Sequence, residues 1–254
     1  MRLTRFVRDL GPIVVAAAIF LAGWKAIVVI GAYPPFVLPP PETVAARLIR
    51  AWGDGTMTPH VTTTLVEIGL GFGVGAGTAL LIGYLLARSP LAERLFSPYI
   101  VAAQATPILA LAPLLILWFG NGLLSKVIIC SLIVFFPVAV ATMVGIRSVD
   151  RQLLEMGRAF RASRSQILTR LEIPGALPAI FGGLRVGATL AVVGAIIGEW
   201  AGGERGLGVL INLARGSLFD TPLLFATLVT IAAVGVALYL VIAIAERRLV
   251  GVRG

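Results

Sequence analysis

The sequence predicts an all-α membrane protein of six transmembrane helices with both termini cytoplasmic, and three observations carry that reading. Hydrophobic residues make up 58% of the 254 residues and charged ones only 13%, where a soluble domain holds about 25% charged. The apolar residues gather in runs of about 20, the length of one membrane crossing. Lys and Arg are shared unevenly among the segments that join those runs. A mean hydropathy of +0.99 excludes an enzyme built on one water-facing core, and the residues outside the runs are too few for a large extramembrane domain.

The first run, Gly11 to Ala32, follows Arg2, Arg5 and Arg8, an arrangement that also resembles a secretory signal. A cleaved signal has an apolar core of about 7–15 residues, whereas this run continues past Lys25, so it reads as an uncleaved span. The second run, Leu65 to Leu86, carries Gly69, Gly73 and Gly77 at i, i+4, i+8, and this small-residue stripe is the expected packing seam. No lysine follows these glycines at P-loop spacing.

The third run, Tyr99 to Phe119, contains Gln104, Thr106, Pro107 and Pro113. Each proline removes a backbone donor, and a broken membrane helix is tolerated where protein or a watery cavity satisfies the freed carbonyls. These four residues are therefore candidates for lining a pathway, with a kinked helix packed on protein as the plain alternative. The fourth run, Val127 to Ile146, holds Cys130. The fifth, Ala179 to Trp200, has Arg185 near its start and Glu199 near its end, both expected at the interfaces where long side chains snorkel. The sixth is Leu223 to Ala245. Lys25, Glu67 and Glu199 all fall toward the same ends of their spans, which favours interfacial anchoring over an ion relay.

With a cytoplasmic N-terminus, the inner side receives Arg2, Arg5, Arg8, Arg88, Arg94, seven arginines between Arg147 and Arg185, and Arg247, Arg248 and Arg253, fifteen of the 21 basic residues. Lys25, Arg47, Arg50, Lys126, Arg205 and Arg215 fall outside. The net charge of +9 is thus a topology signal rather than a nucleic-acid footprint. The one histidine, His60, and the one cysteine lie on different segments, so no metal site, cofactor or catalytic constellation is expected.

The fourth and fifth spans are joined by residues 147–180. Ser148 can cap a helix with Asp150 in its first turn, placing Leu153, Met156, Gly157 and Phe160 on one apolar stripe. Ser163 followed by Gln166 is a capping-box pattern that starts a second helix, which Pro174 and Pro178 are expected to stop. The stripe could lie on the membrane, tuck against its own bundle, or enter a groove on another protein.

The stretch LLEMGRAFRASRSQILTRLEIPGALPAI resembles the EAA loop of binding-protein-dependent ABC importer permeases, opened by Glu155 and closed by Ile173-Pro174. The resemblance continues through PPFVLPPPETV, QATPILALAPLLILWFGNG, GAIIGEW and ERRL, across nearly the whole chain, and is of the nitrate/sulfonate/taurine type. It implies a single permease domain of the ABC importer type I fold over residues 1–254 in the bacterial cell membrane. Two copies would form the pathway, an extracytoplasmic binding protein would deliver substrate, and separate ATPase subunits would hydrolyse ATP.

It implies ATPase docking through Glu155, Met156, Gly157, Arg158, Phe160, Arg161, Ala162, Ser163 and Pro174. Two departures stand out: Met156-Gly157 replaces the usual Ala-Ala, and Arg161 stands at the customary turn glycine. Arginine with positive φ costs of order 1 kcal/mol, so either a shifted turn or a helix running on to Ser163 is expected. The phrases AVVGAIIGEW, RGLGVLI and FDTPL look closer to permeases for vitamins, such as riboflavin or the hydroxymethylpyrimidine precursor of thiamine, than to the sulfonate, taurine or nitrate branch. An ion-coupled carrier acting alone, motivated by Lys25, Glu67 and Glu199, is the rival outside the family.

Overall fold

A computed structural model describes residues 2–251; Arg253 lies outside them, as do the side chains of Arg2, Arg5 and Arg8. The described residues are mostly helical, and none of them forms a strand. In order they form α1 (Arg2–Ile30), α2 (Pro41–Gly53), α3 (Met57–Arg88), α4 (Pro90–Ala105), α5 (Ile108–Phe119), α6 (Leu123–Arg147), α7 (Arg151–Ala159), α8 (Arg164–Ile167), α9 (Ile173–Gly202), α10 (Leu207–Asn212) and α11 (Thr221–Leu249). A π-helical turn, Leu168–Glu172, joins α8 to α9, and another, Leu213–Ser217, follows α10.

Four helical stretches are long and apolar enough to cross a membrane: 57–88, 123–147, 164–202 and 221–249. The helix pair α4 and α5 adds a fifth if counted as one span, although it is bent by 94°. The apolar part of α1, Val14–Ile30, is shorter than these. The expected third span is therefore broken rather than kinked. Pro107, lacking an N–H, cannot continue α4, and Thr106 closes that helix in extended geometry.

The chain forms two compact units. One comprises the chain up to Pro59 with Leu210–Thr230. Within it Asp220 caps α11, accepting from Leu223 N at 2.9 Å, and binds Arg47 Nε of α2 at 2.7 Å. Trp24 packs on Phe225 at 5.6 Å between ring centroids, and Lys25 pairs with Glu42 at 3.1 Å. A backbone N–H first, and Lys25 second, hold the Glu42 carboxyl below the usual carboxylate range.

The other unit, His60–Val209 with the chain from Ile231 on, is centred on α6. Its core gathers Ile68, Ala79, Cys130, Val134, Val138, Ala191 and Ala195. Lipid offers no hydrophobic drive to helix pairing, so close backbone approach through small residues does the work. On α3 the approach is made by Gly71, Gly75 and Gly83: a Cβ would stand 2.4 Å from Cys130 Cβ at Gly71 and 2.6 Å from Ser131 O at Gly75. Buried Ala79 completes an i, i+4, i+8, i+12 seam, and Ser131 Oγ donates to Gly71 O at 3.0 Å.

This corrects the seam expected at Gly69, Gly73 and Gly77, where a Cβ would meet nothing within 4 Å. Both stripes share the four-residue period, and they differ only in which one meets a helix carrying small groups. Gly183 and Gly194 of α9 approach α6 in the same manner, facing Ala141 Cβ and Cys130 Cα.

Pro174 and Pro178 do not stop the second loop helix. The backbone is helical from Arg164 to Gly202, and the π turn carries it past Pro174 with Ile173 N donating to Leu168 O. The wider turn gives the proline ring room that an α-helical carbonyl four residues back would deny. Arg185, in the first half of α9, pairs with Glu246 of α11 and lies over the Tyr239 ring.

Candidate functional site

The loop between α6 and α9 is built from three local devices. Ser148 closes α6 rather than opening α7, its hydroxyl donating to Gly145 O at 2.8 Å. Asp150 is the cap of α7, accepting from Gln152 N at 2.8 Å. At the far end Phe160 caps α7, Arg161 has φ +55°, Arg161 N donates to Arg158 O at 2.9 Å and Ala162 N to Gly157 O at 3.0 Å. These two bonds are the Schellman pair, which needs a left-handed residue at Arg161.

The turn is neither shifted nor dissolved into a longer helix. Arg161 takes the glycine conformation itself, at a cost of about 1 kcal/mol or somewhat more. The capping box then opens α8: Gln166 N donates to Ser163 Oγ at 3.2 Å, and Ser163 N to Gln166 Oε1 at 2.8 Å.

The four stripe residues do not share one environment. A Cβ on Gly157 would lie 2.9 Å from Leu171 Cδ1, so glycine here lets α7 rest on the second helix. Met156 is 51% exposed and Phe160 81%, and Leu153 borders them. A large apolar side chain left this open marks an interaction surface. Glu155, Arg158 and Arg161 are exposed beside it and make no ion pair among the described residues. Ser163 is also exposed, whereas Ala162 and Pro174 are half-buried.

Of the four pathway candidates, Thr106 and Pro107 form the bend between α4 and α5, Thr106 Oγ1 donating to Ala102 O at 3.1 Å. Gln104 lines an open cavity of about 430 Å³ with Pro137 and Ala141 of α6 and Gly182 and Gly183 of α9. Its side-chain amide has no hydrogen bond among the described residues. Pro113 is exposed on α5 and does not line that cavity.

A polar cluster replaces the expected interfacial anchors. Glu67 and Glu199 are each 1% exposed and Lys126 6%, too buried to reach an interface by snorkelling. Lys126 Nζ lies 3.5 Å from Glu67 Oε1, and Thr64 Oγ1 lies 2.5 Å from Glu199 Oε1. Glu199 Oε2 accepts from Gly208 N at 2.6 Å, and Thr64 Oγ1 from Leu207 N at 2.9 Å. His60 Nδ1 sits against Gly206 N and O. Lys25, by contrast, stays exposed with Glu42, as anchoring requires. The signal available in the sequence was that Glu67, Lys126 and Glu199 all fall within two residues of an end of their apolar runs, together with their opposite charges.

No group of His, Cys, Asp and Glu among the described residues could hold a metal ion. Residues 79–251 match the family described as binding-protein-dependent transport system inner membrane component. The chain is 44% identical to the riboflavin transport system permease protein RibX of Chloroflexus aurantiacus, over 93% of this chain and 88% of that one. It is 35% identical to the formylaminopyrimidine transport permease protein ThiX of Halalkalibacterium halodurans, over 80% of each. Identity to the taurine transport system permease protein TauC of Escherichia coli is 30%, over 91% and 86%. A crystal structure of an amino acid ABC transporter shares the fold, with a TM-score of 0.55 at 21% identity, covering 75% of this chain and 92% of that one.

Proposed function

The chain belongs to the family of binding-protein-dependent transport system inner membrane components, and from that premise we propose that it works as one of two copies forming the translocation pathway of an ABC importer. It is an inner-membrane transport permease subunit, of a family that functions with ATPase and binding-protein partners. The proposed arrangement has six spans, cytoplasmic termini and the 147–180 loop inside the cell.

The observation that carries the reading is the exposed face of α7. Met156 and Phe160 stand open to water beside Glu155, which makes no ion pair among the described residues, on a helix held in place by a cap at each end. We assign this face to a groove on a separate ATPase, with Glu155, Arg158 and Arg161 as charge contacts and the Gly157 to Ser163 turn presenting them. Closure of two ATPases on ATP would pull both loops together and bias the bundle from inward- to outward-facing. Gln104, beside Gly182 and Gly183, would face the solute on its way.

For the solute we propose a vitamin or vitamin precursor, riboflavin or a thiamine pyrimidine, supported by the higher identity to permeases named for those compounds than to the taurine permease. The test is uptake of labelled riboflavin, hydroxymethylpyrimidine and taurine into vesicles holding this permease, its ATPase and its binding protein. Vitamin uptake that needs all three proteins and ATP is the expected result. Taurine uptake would move the chain to the sulfonate branch, and uptake by the permease alone on an ion gradient would overturn the importer reading.

A further inference from the structure

Two cavities are stacked on the loop side of the bundle, along α3, α6 and α9. The first, about 420 Å³, is walled by Leu80, Tyr84, Ile146, Leu177, Phe181 and Leu184 among other apolar residues. Almost none of the lining surface is polar, in spite of the Tyr84 and Thr142 hydroxyls, and the Thr142 hydroxyl already donates to Val138 O at 2.7 Å. Water held there would lack the two to four polar partners it needs, and protein interiors do not keep such space empty. Leu81 and Ile173 on its rim are 61% and 39% exposed, so the cavity opens laterally, where the bilayer would be.

The second cavity, about 400 Å³, continues from the first across Ile146 and is one helical turn further along α3. It is lined by Arg88, Arg147, Arg151, Glu93 and Glu172. Arg88 answers Glu172 at 2.7 Å, and Arg147 answers Glu93. Arg151 makes no ion pair among the described residues, which leaves the cavity one positive charge in excess. Glu172 is 2% exposed, and its Oε2 has no hydrogen-bond partner among the described residues, an unmet acceptor that costs free energy until a donor reaches it.

We propose that this pair of cavities holds one phospholipid of the cytoplasmic leaflet with an anionic, hydroxyl-bearing headgroup, of the phosphatidylglycerol class. An acyl chain fills the apolar cavity, the phosphate lies against Arg151, and a turn of the Glu172 side chain brings Oε2 to a headgroup hydroxyl that donates to it. Basic pockets between membrane helices on the cytoplasmic side recognise anionic headgroups by this chemistry. Leu168 and Ile173 of the loop also wall the first cavity and Leu154 of α7 the second, so the lipid would brace the docking loop from behind.

The inference rests on the orientation proposed above. The two fail separately, because lipid retention is read on the protein whether or not it transports, and cysteine labelling from outside the cell reports the side on which Ser163 lies.

The experiment is native mass spectrometry of the full-length permease after equilibration with phosphatidylglycerol or phosphatidylcholine. Wild type is expected to keep one phosphatidylglycerol per chain in preference to phosphatidylcholine, undisturbed by excess inorganic phosphate. Arg151→Gln, an exposed change, should weaken phosphatidylglycerol about fivefold, the factor one surface arginine contributes. Leu177→Trp should fill the apolar cavity and reduce retention of either lipid. Equal retention of the two lipids by wild type, or retention unchanged in Arg151→Gln, would overturn the assignment. Displacement by inorganic phosphate would overturn it in favour of a free-anion site.

Discussion

Glu199 holds Gly208 by its backbone: the carboxylate Oε2 accepts from Gly208 N at 2.6 Å, while Oε1 lies against Thr64. One side chain near the end of α9 thereby fixes both the start of α10 and a turn of α3. Gly206 sits between them with φ +130°, where a Cβ would stand 2.1 Å from the Glu199 carboxylate.

Glu199→Ala should therefore cost about 2–3 kcal/mol, since the buried donors at Thr64 and Gly208 lose their acceptor. Thermal unfolding in detergent, compared with wild type, checks this. A melting temperature within error of wild type would mean that the cluster contributes little to the fold.

The glycine seam gives a paired prediction. Gly75→Leu drives a side chain into Ser131 O and should destabilise by several kcal/mol, while Gly73→Leu enters open space and should stay within about 0.5 kcal/mol. The same unfolding assay in detergent separates them, and a reversed order would return the seam to Gly69, Gly73 and Gly77.

Arg161→Gly removes a strained left-handed residue while keeping both Schellman bonds. Stability of the loop should rise by about 1 kcal/mol. The amide of Ala162, bonded to Gly157 O, should then exchange with solvent roughly fivefold more slowly if the gain is confined to that turn.

Phe160→Ala and Glu155→Lys address the proposed docking face. Both side chains are exposed, so insertion and folding should be unchanged while co-purification of the ATPase falls, by 2 kcal/mol or more for a buried aromatic anchor. ATPase recovered at wild-type yield from both variants would reject the face.

Much of this was legible in the sequence where local chemistry decides the outcome. The capping box at Ser163 and Gln166 forms because both groups lie within one turn, whereas the strain at Arg161 pointed to a shifted turn or a longer helix and the chain instead accepts the left-handed residue. The order of the long apolar helices was equally readable, because length and hydropathy need no partner.

What could not be read depends on neighbours distant in the chain. Gly71 and Gly73 are equivalent until α6 supplies Cys130 and Ser131 on one side. Glu67 and Glu199 look like interfacial anchors until Lys126 and Thr64 come within reach. Pro174 reads as a stop signal because a π turn has no pattern of its own in the residues. Thr106-Pro107 announced a break, but not its right-angled size.

The unbroken run from Arg164 to Gly202 has a mechanical consequence. Its 39 residues at 1.5 Å each make a rod of about 58 Å, nearly twice the roughly 30 Å of a hydrocarbon core. The capping box lies at one tip and Glu199 close to the other, and the backbone between them stays helical through the π turn and past both prolines. A push at Ser163 is therefore not dissipated in slack chain. Under the docking proposed above it would tilt or slide the helix as a unit, toward an end tied through Glu199 to Thr64 and Gly208.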